Sequence, residues 1–362
     1  MTQQNKNTVY FFPFHQGQTL DKRLQGVSLL LQKTGIENVV SKQDIVAIKI
    51  HFGEQKNTTH IPAAYVRPVS DCIKKLNGKP FVTDTCVLYK SQRDNSVDHL
   101  VLAHEHGFTL ETTGAPVIIA DGLVGNLERD VTIDCPIYKT VSIAASAIEA
   151  NAIIVMSHVT GHIATGLGAA IKNIGMGFAS RKGKLKQHSA MKPSVKRKKC
   201  TGCGVCVQWC PAQCISLNDG KAEIDSSACI GCGECLAVCR FGAVKHDWAV
   251  SENDLQQRMA EHALGVVKGR THKMLYLNFL INLTKDCDCF DIEQEPVLPD
   301  IGIVAGFDPV SVDAASLDLI AETHGTGLEE VAYPAINARE QIEYGEKIGL
   351  GTTDYTVVRI TE

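Results

Sequence analysis

Apolar positions along this chain recur with two periods. Leu20, Leu24, Val27 and Leu31 fall on one helical face, between Thr19, an N-cap residue type, and Gly35, a C-terminal stop. Short apolar runs at Val9–Phe12, Ile45–Ile50, Pro80–Thr83, Val117–Ala120 and Ile153–Met156 read as strands. Tyr65–Leu76, Val97–His106 and Ile143–Ala150 read as the helices between them. The pattern breaks near residue 195 and resumes after 245. Helices are then expected at Asp254–Val267, Val310–Glu322 and Ala335–Lys347, and strands at Met274–Leu283, Ile301–Ala305 and Thr356–Ile360. This alternation predicts an α/β fold, a mostly parallel sheet with helices on both faces, interrupted by a small α+β module. The expected units are 1–194 and 246–362, the two parts of one α/β domain, and 195–245 between them.

The module is where cysteines concentrate. Cys200, Cys203, Cys206 and Cys210, followed by Pro211, have the spacing C-x2-C-x2-C-x3-C-P. Cys229, Cys232, Cys235 and Cys239 repeat it 29 residues later, with Arg240 in place of the proline. Three cysteines at intervals of three wrap a loop around three corners of a cubane, and the fourth reaches a second cluster. The spacing therefore assigns Cys200, Cys203, Cys206 and Cys239 to one [4Fe–4S] cluster and Cys229, Cys232, Cys235 and Cys210 to another. Gly202, Gly204, Gly231 and Gly233 let the backbone approach and aim N–H groups at sulfur. Zinc sites favour two C-x2-C pairs instead. Cys214 reads as a small buried thiol beside the cluster. The region resembles the bacterial two-cluster ferredoxin.

The remaining composition narrows the class. The chain has 362 residues, 44% hydrophobic and 21% charged, enough for two or three packed domains. A net charge of −4 offers no global basic field for nucleic acid. The polar start and the lack of a long apolar run predict a cytoplasmic protein without a membrane span. Fourteen cysteines without a signal segment fit metal or redox binding better than a secreted disulfide framework. Arg181–Lys199 is a basic run, read as a solvated linker, with docking of an acidic redox partner or anion binding as the alternative. Oligomeric state is not legible.

Chemistry in the α/β part concentrates where strands end. His51 and Glu54 follow one expected strand, and Ser157–His162 another, in a loop with His158 and His162. Ligands bind at the carboxyl ends of parallel strands. Gly161, Gly166 and Gly168 lead toward an expected helix whose N-terminus suits an anion, with Lys172 inside it. These residues make His162, Lys172, His158 and His51 the catalytic candidates, and Gly166 and Gly168 the cofactor-binding ones. Cys287-Asp288-Cys289 on a loop can bite a soft metal or form a disulfide. Cys72, Cys86 and Cys135 read as core residues. Asp308-Pro309 reads as a helix N-cap with proline at N1, and Asp313 as a polar contact at the site.

Two resemblances extend this reading. Lys49-Ile50-His51-Phe52-Gly53-Glu54, Ser157–His162 leading into Gly166–Asn173, Cys287-Asp288-Cys289 and Phe307–Asp313 are similar to the uncharacterised Fe–S centre protein family, an α/β domain of unknown function 362 with a ferredoxin insert. The order His162, Lys172, His188 is similar to a segment of the lactate racemase family. That likeness implies a proton-transfer histidine, a lysine anchoring a nickel pincer cofactor, and a metal-binding His188. The leading expectation is an iron–sulfur oxidoreductase. It would pass electrons between a redox protein and a small-molecule substrate in the α/β domain, with a further metal near Cys287, Cys289 or His188. The alternatives are a non-enzymatic electron carrier or cofactor-assembly scaffold, and a relative of lactate racemase.

Overall fold

The computed structural model describes residues 8–15, 17–188, 193–229, 233–245 and 252–360. A seven-stranded sheet is built from β1 (Thr8–Pro13), β2 (Ile45–Lys49), β3 (Lys79–Thr83), β4 (Ala152–His158), β5 (Met274–Leu280), β6 (Gly302–Gly306) and β7 (Thr356–Arg359). Their order is β7-β1-β6-β5-β4-β2-β3. Pairing is parallel except for β6, which is antiparallel to β1 and β5.

The central strands are nearly continuous apolar runs because both faces are covered. Val46, Ile48, Ile154, Met156, Leu275 and Leu277 point to one face, under the helices Leu20–Thr34 and Val66–Lys75. Ala47, Ile153, Val155 and Tyr276 point to the other, under Ala170–Gly175, Glu252–Val267 and Pro309–His324. The expected mostly parallel α/β sheet with helices on both faces is thus what the chain adopts. Thr19 and Gly35 delimit the first helix as read, with Gly35 at φ 80°. Asp308 caps the Pro309 helix through the N–H groups of Val310 and Ser311.

Four expectations are corrected. Val117–Ala120 runs beside β3, with an isolated bridge from Val82 to Val117 and hydrogen bonds from Thr83 Oγ1 to Ile118 O and from Ala120 N–H to Asp84 O, but it is not a strand of the sheet. Ile143–Ala150 is not one helix. Thr140–Ala144 pairs with Glu128–Thr132 as a hairpin, and only Ala145–Glu149 is helical; Val141 and Ile143 alternate with Ser142 and face the core. The last helix is confined to Glu340–Lys347. The basic run is not a solvated linker at its start: Arg181–His188 is a helix with Arg181 and Lys184 buried. Their charges are met by acceptors. Arg181 donates to Asp94 O, and Lys184 Nζ donates to Thr85 Oγ1 and Ala179 O, both at 2.6 Å.

Apolar residues and cysteines among 193–229 and 233–245 pack together with Leu88 and Leu185. A hairpin of Ile215–Asn218 and Lys221–Ile224 and two helical turns, Val205–Gln208 and Glu234–Val238, surround buried cysteines. Ser194–Val195 pairs antiparallel with Val244–Lys245, which brings the two ends of the segment together. Among the described residues no helix is long and apolar enough to cross a membrane.

Candidate functional site

β2, β3 and β4 end together, and the residues there open into one cavity of about 650 Å³. Lys49 and His51 come from the end of β2, Asp84 and Thr85 from the end of β3, and Ser157 and His158 from β4. The short antiparallel strands Thr160–His162 and Gly166–Gly168 bring in His162, and the helix after them brings Lys172. The Arg181–His188 helix adds Lys184 and His188, and the loop after β5 adds Cys287, Asp288 and Cys289. The cavity thus lies at the carboxyl ends of the strands, where open α/β sheets bind ligands.

A buried ionic network forms its floor. Lys49 Nζ is 2.9 Å from Asp84 Oδ1 and donates to Asn173 Oδ1 at 2.7 Å. Arg93 reaches Asp84 Oδ2 at 2.9 Å and Glu54 Oε1 at 3.0 Å. Tyr89 shares its one hydroxyl proton between the same Glu54 oxygen, at 2.8 Å, and Cys289 O, at 3.1 Å. Burial alone raises the pKa of Asp84, yet Lys49 and Arg93 pull it well below the carboxylate range.

The four catalytic candidates occupy distinct environments. His51 Nδ1 accepts from Gly53 N–H at 3.0 Å; burial, and then the charge of Arg93, hold its pKa well below the usual value. His158 has acceptors on both nitrogens: Asp288 Oδ2 at 2.9 Å from Nδ1 and Ile281 O at 2.7 Å from Nε2. Burial pulls its pKa down, but the Asp288 charge and these hydrogen bonds more than offset that, and the net shift is upward. His158 is therefore a doubly donating imidazolium that ties the Cys287–Cys289 loop to the end of β4. His162 is neutral, its pKa lowered by burial and then by Lys172 and His188. Lys172 has its pKa lowered to about 8, chiefly by burial.

A ring nitrogen of His162 and the sulfurs of Cys287 and Cys289 lie within 4.8 Å of one another. The sulfurs are bonded to each other here. Once reduced, the three donors could hold a metal ion. Cys287 is buried and Cys289 half-buried.

The expected anion site at the Ala170 helix start is filled from within the protein. The N–H groups of Ala170 and Ile171 donate to Asp313 Oδ1 and Oδ2, each at 2.8 Å. Asp313 also accepts from Asn278 Nδ2 at 2.8 Å, which is the polar contact that its place inside a helix demanded. Gly168 lines the cavity, whereas Gly166 packs against Ala338 on the far side of the turn.

The module's cysteines line two further small cavities. Cys200, Cys203, Cys206 and Cys239 surround one. Cys210, Cys229 and Cys235 surround the other with Cys214, whose sulfur is 3.4 Å from that of Cys210. Cys232 lies outside the described residues. Ala222 N–H donates to Cys200 Sγ and Ala243 N–H to Cys239 Sγ, both at 3.3 Å. Gly202, Gly204 and Gly233 all have positive φ, which lets these loops turn tightly.

Residues 46–318 match the family described as Domain of unknown function (DUF362). The chain belongs to this family. Among solved structures, the DUF362 chain is similar to the lactate racemase apoprotein from Thermoanaerobacterium thermosaccharolyticum, with 12% identity and a TM-score of 0.39 over 73% of this chain and 52% of that one. It is also similar to a protein from Thermotoga maritima, with 10% identity and a TM-score of 0.39 over 85% of this chain and 59% of that one. The chain spans little more than half the length of these two structures. No curated protein matches it.

Asp84, Arg93 and Lys184 of this DUF362 site escaped sequence reasoning, and Lys49 and Asp288 stood within quoted motifs without a role of their own. Lys49 and Asp84 carried a usable signal, since each is a charge placed directly at the end of an apolar strand. Arg93 and Lys184 carried none, because they reach the cavity only through tertiary packing.

Proposed function

We propose that this protein is an iron–sulfur redox protein that binds two [4Fe–4S] clusters and conducts electrons to the cavity at the ends of β2, β3 and β4. The observation that carries the proposal is the crossed arrangement of cysteines. Cys239 joins the first trio, and Cys210 joins Cys229 and Cys235, the described members of the second. Two-cluster ferredoxin spacing demands that crossing, and paired zinc ligands do not. Backbone N–H groups directed at Cys200 and Cys239 are the kind of contact that tunes such clusters. Bound clusters would supply one-electron chemistry at low potential.

Two side chains support conduction toward the cavity. Leu88 lines the large cavity and also packs in the cysteine core. Leu185 packs in that core from the helix that carries Lys184 and His188. In this reading the cavity hosts a small-molecule substrate. His51, neutral, accepts a proton, Lys172 donates one, and His158 positions the Cys287–Cys289 loop. The exposed Lys196, Arg197, Lys198 and Lys199, directly before Cys200, suit an acidic redox protein as partner. The test is iron and sulfide content after anaerobic purification, with electron paramagnetic resonance of the reduced protein.

A second reading rests on the convergence of His162, Lys172 and His188 on one cavity. It makes the protein an enzyme similar to lactate racemase, with Lys172 as a cofactor anchor. Nickel in the purified protein and added mass on the Lys172 peptide would favour it. A non-enzymatic carrier or assembly scaffold would keep the clusters and show neither.

A further inference from the structure

We propose that the reduced protein binds one borderline-soft divalent ion of the Zn2+ class on His162, Cys287 and Cys289, with an open coordination position facing the cavity beside Lys172. This site is separate from the eight-cysteine module and does not depend on it.

The donors come from two segments more than a hundred residues apart in sequence, yet they lie within 4.8 Å of one another on the wall of a large cavity. Two sulfurs and one imidazole match a catalytic zinc ligand set, which leaves a fourth position open. Thiolate and imidazole donors also disfavour hard ions such as Mg2+ and Ca2+.

The surroundings hold each ligand in place. The Thr165 hydroxyl lies 2.8 Å from His162 Nδ1 and donates its own proton to Leu167 O at 2.9 Å. The Ala164 N–H donates to Nδ1 at 3.2 Å. Nδ1 is thus engaged by Thr165 and by the Ala164 N–H, which fixes the orientation of the ring at the cavity wall. A ligating histidine whose other nitrogen is hydrogen-bonded is the usual arrangement. The Cys-Asp-Cys loop is fixed on three sides. His158 grips Asp288, Glu54 N–H donates to Asp288 O at 3.0 Å, and Tyr89 holds Cys289 O.

Space is left on the cavity side. A Cβ at Gly168 would lie 2.9 Å from Thr160 Oγ1, 3.7 Å from Lys172 Cδ and 3.8 Å from Cys287 Cβ, so this position faces the ground between lysine and metal ligands. The open position beside an ammonium suits a small ligand with an oxygen donor, such as a carboxylate. Loading is balanced in two steps. The disulfide takes two electrons and two protons from a dithiol reductant to give two thiols, and the dithiol becomes a disulfide. The ion then displaces the two thiol protons.

The test uses the full chain as purified anaerobically, treated with dithiothreitol, then with ZnCl2, and desalted. One equivalent of zinc is expected in the reduced protein and none in protein kept oxidised. Cys287→Ser/Cys289→Ser and His162→Gln should lose it with iron content unchanged. Thr165→Val, which leaves all three ligands, should weaken zinc binding about 10–100-fold. X-ray absorption at the zinc edge should show two sulfurs at about 2.3 Å and a histidine nitrogen. Zinc bound through four sulfurs, zinc retained in the double variant, or none in the reduced protein would overturn the proposal. Iron and sulfide counted in the same samples report on the cluster reading separately.

Discussion

Lys49 and Asp84 form a fully buried ion pair, 2.9 Å apart, at the ends of adjacent strands. The register explains the contact: Lys49 pairs with Thr83 across β2 and β3, so the next residue, Asp84, turns straight toward the amine. Arg93 then takes the other Asp84 oxygen and joins it to Glu54. The cavity floor is thus set by charges that must neutralise one another.

Replacing Asp84 by Asn leaves two buried cations underpaired and should cost about 3–5 kcal/mol at pH 7. The folded pKa of Asp84 is depressed, so its contribution is present above the unfolded value near ~3.9 and is lost as pH falls through the folded value. Denaturant unfolding of both proteins should show a constant gap from neutral pH down to about 5, narrowing below about 4. Equal stability at pH 7 would rule out the pairing.

Lys172 should acylate with a midpoint near pH 8, because burial lowers its pKa to about 8. Lys184 is also held at about 8, but its amine donates to two acceptors and should label more slowly. Peptide mass spectrometry across a pH series separates the two. A Lys172 midpoint near an ordinary ~10.4 would contradict its burial.

Gly161→Ala should destabilise the protein by about 1–3 kcal/mol through overpacking. The added Cβ would lie 2.2 Å from Lys285 O and 2.6 Å from Ala332 Cβ. Thermal unfolding reads the loss, and an unchanged midpoint would mean that the hairpin does not pack on this loop.

The crossed cysteine sets predict a crossed phenotype. Cys239→Ser should remove the same half of the iron as Cys203→Ser, although Cys239 belongs to the other sequence motif. Cys210→Ser should behave like Cys235→Ser. Iron analysis with spectra of the remaining centre distinguishes the halves. Identical losses within one sequence motif would contradict the crossing.

Much of the frame was legible in the sequence because the central strands are apolar on both faces and the helices carry clean caps, such as Thr19 and Asp308. The Thr140–Ala144 strand was misread because alanines after Ile143 extend a helical pattern through it. The Arg181 helix was misread because its charges suggest solvent, while their acceptors, Asp94 O and Thr85 Oγ1, lie far away in sequence. Within the site, His51, His158, His162 and Lys172 could be picked by their positions relative to strand ends. The approach of Cys287 and Cys289 to His162 could not, because no local pattern encodes a contact across more than a hundred residues.

The central claim is tested most directly by one sample: protein purified without oxygen, assayed for iron and sulfide, reduced, and measured by electron paramagnetic resonance. The account predicts about eight irons and eight sulfides per chain and a spectrum of two interacting reduced [4Fe–4S] centres. Zinc in place of iron, or iron without such a spectrum, would contradict it.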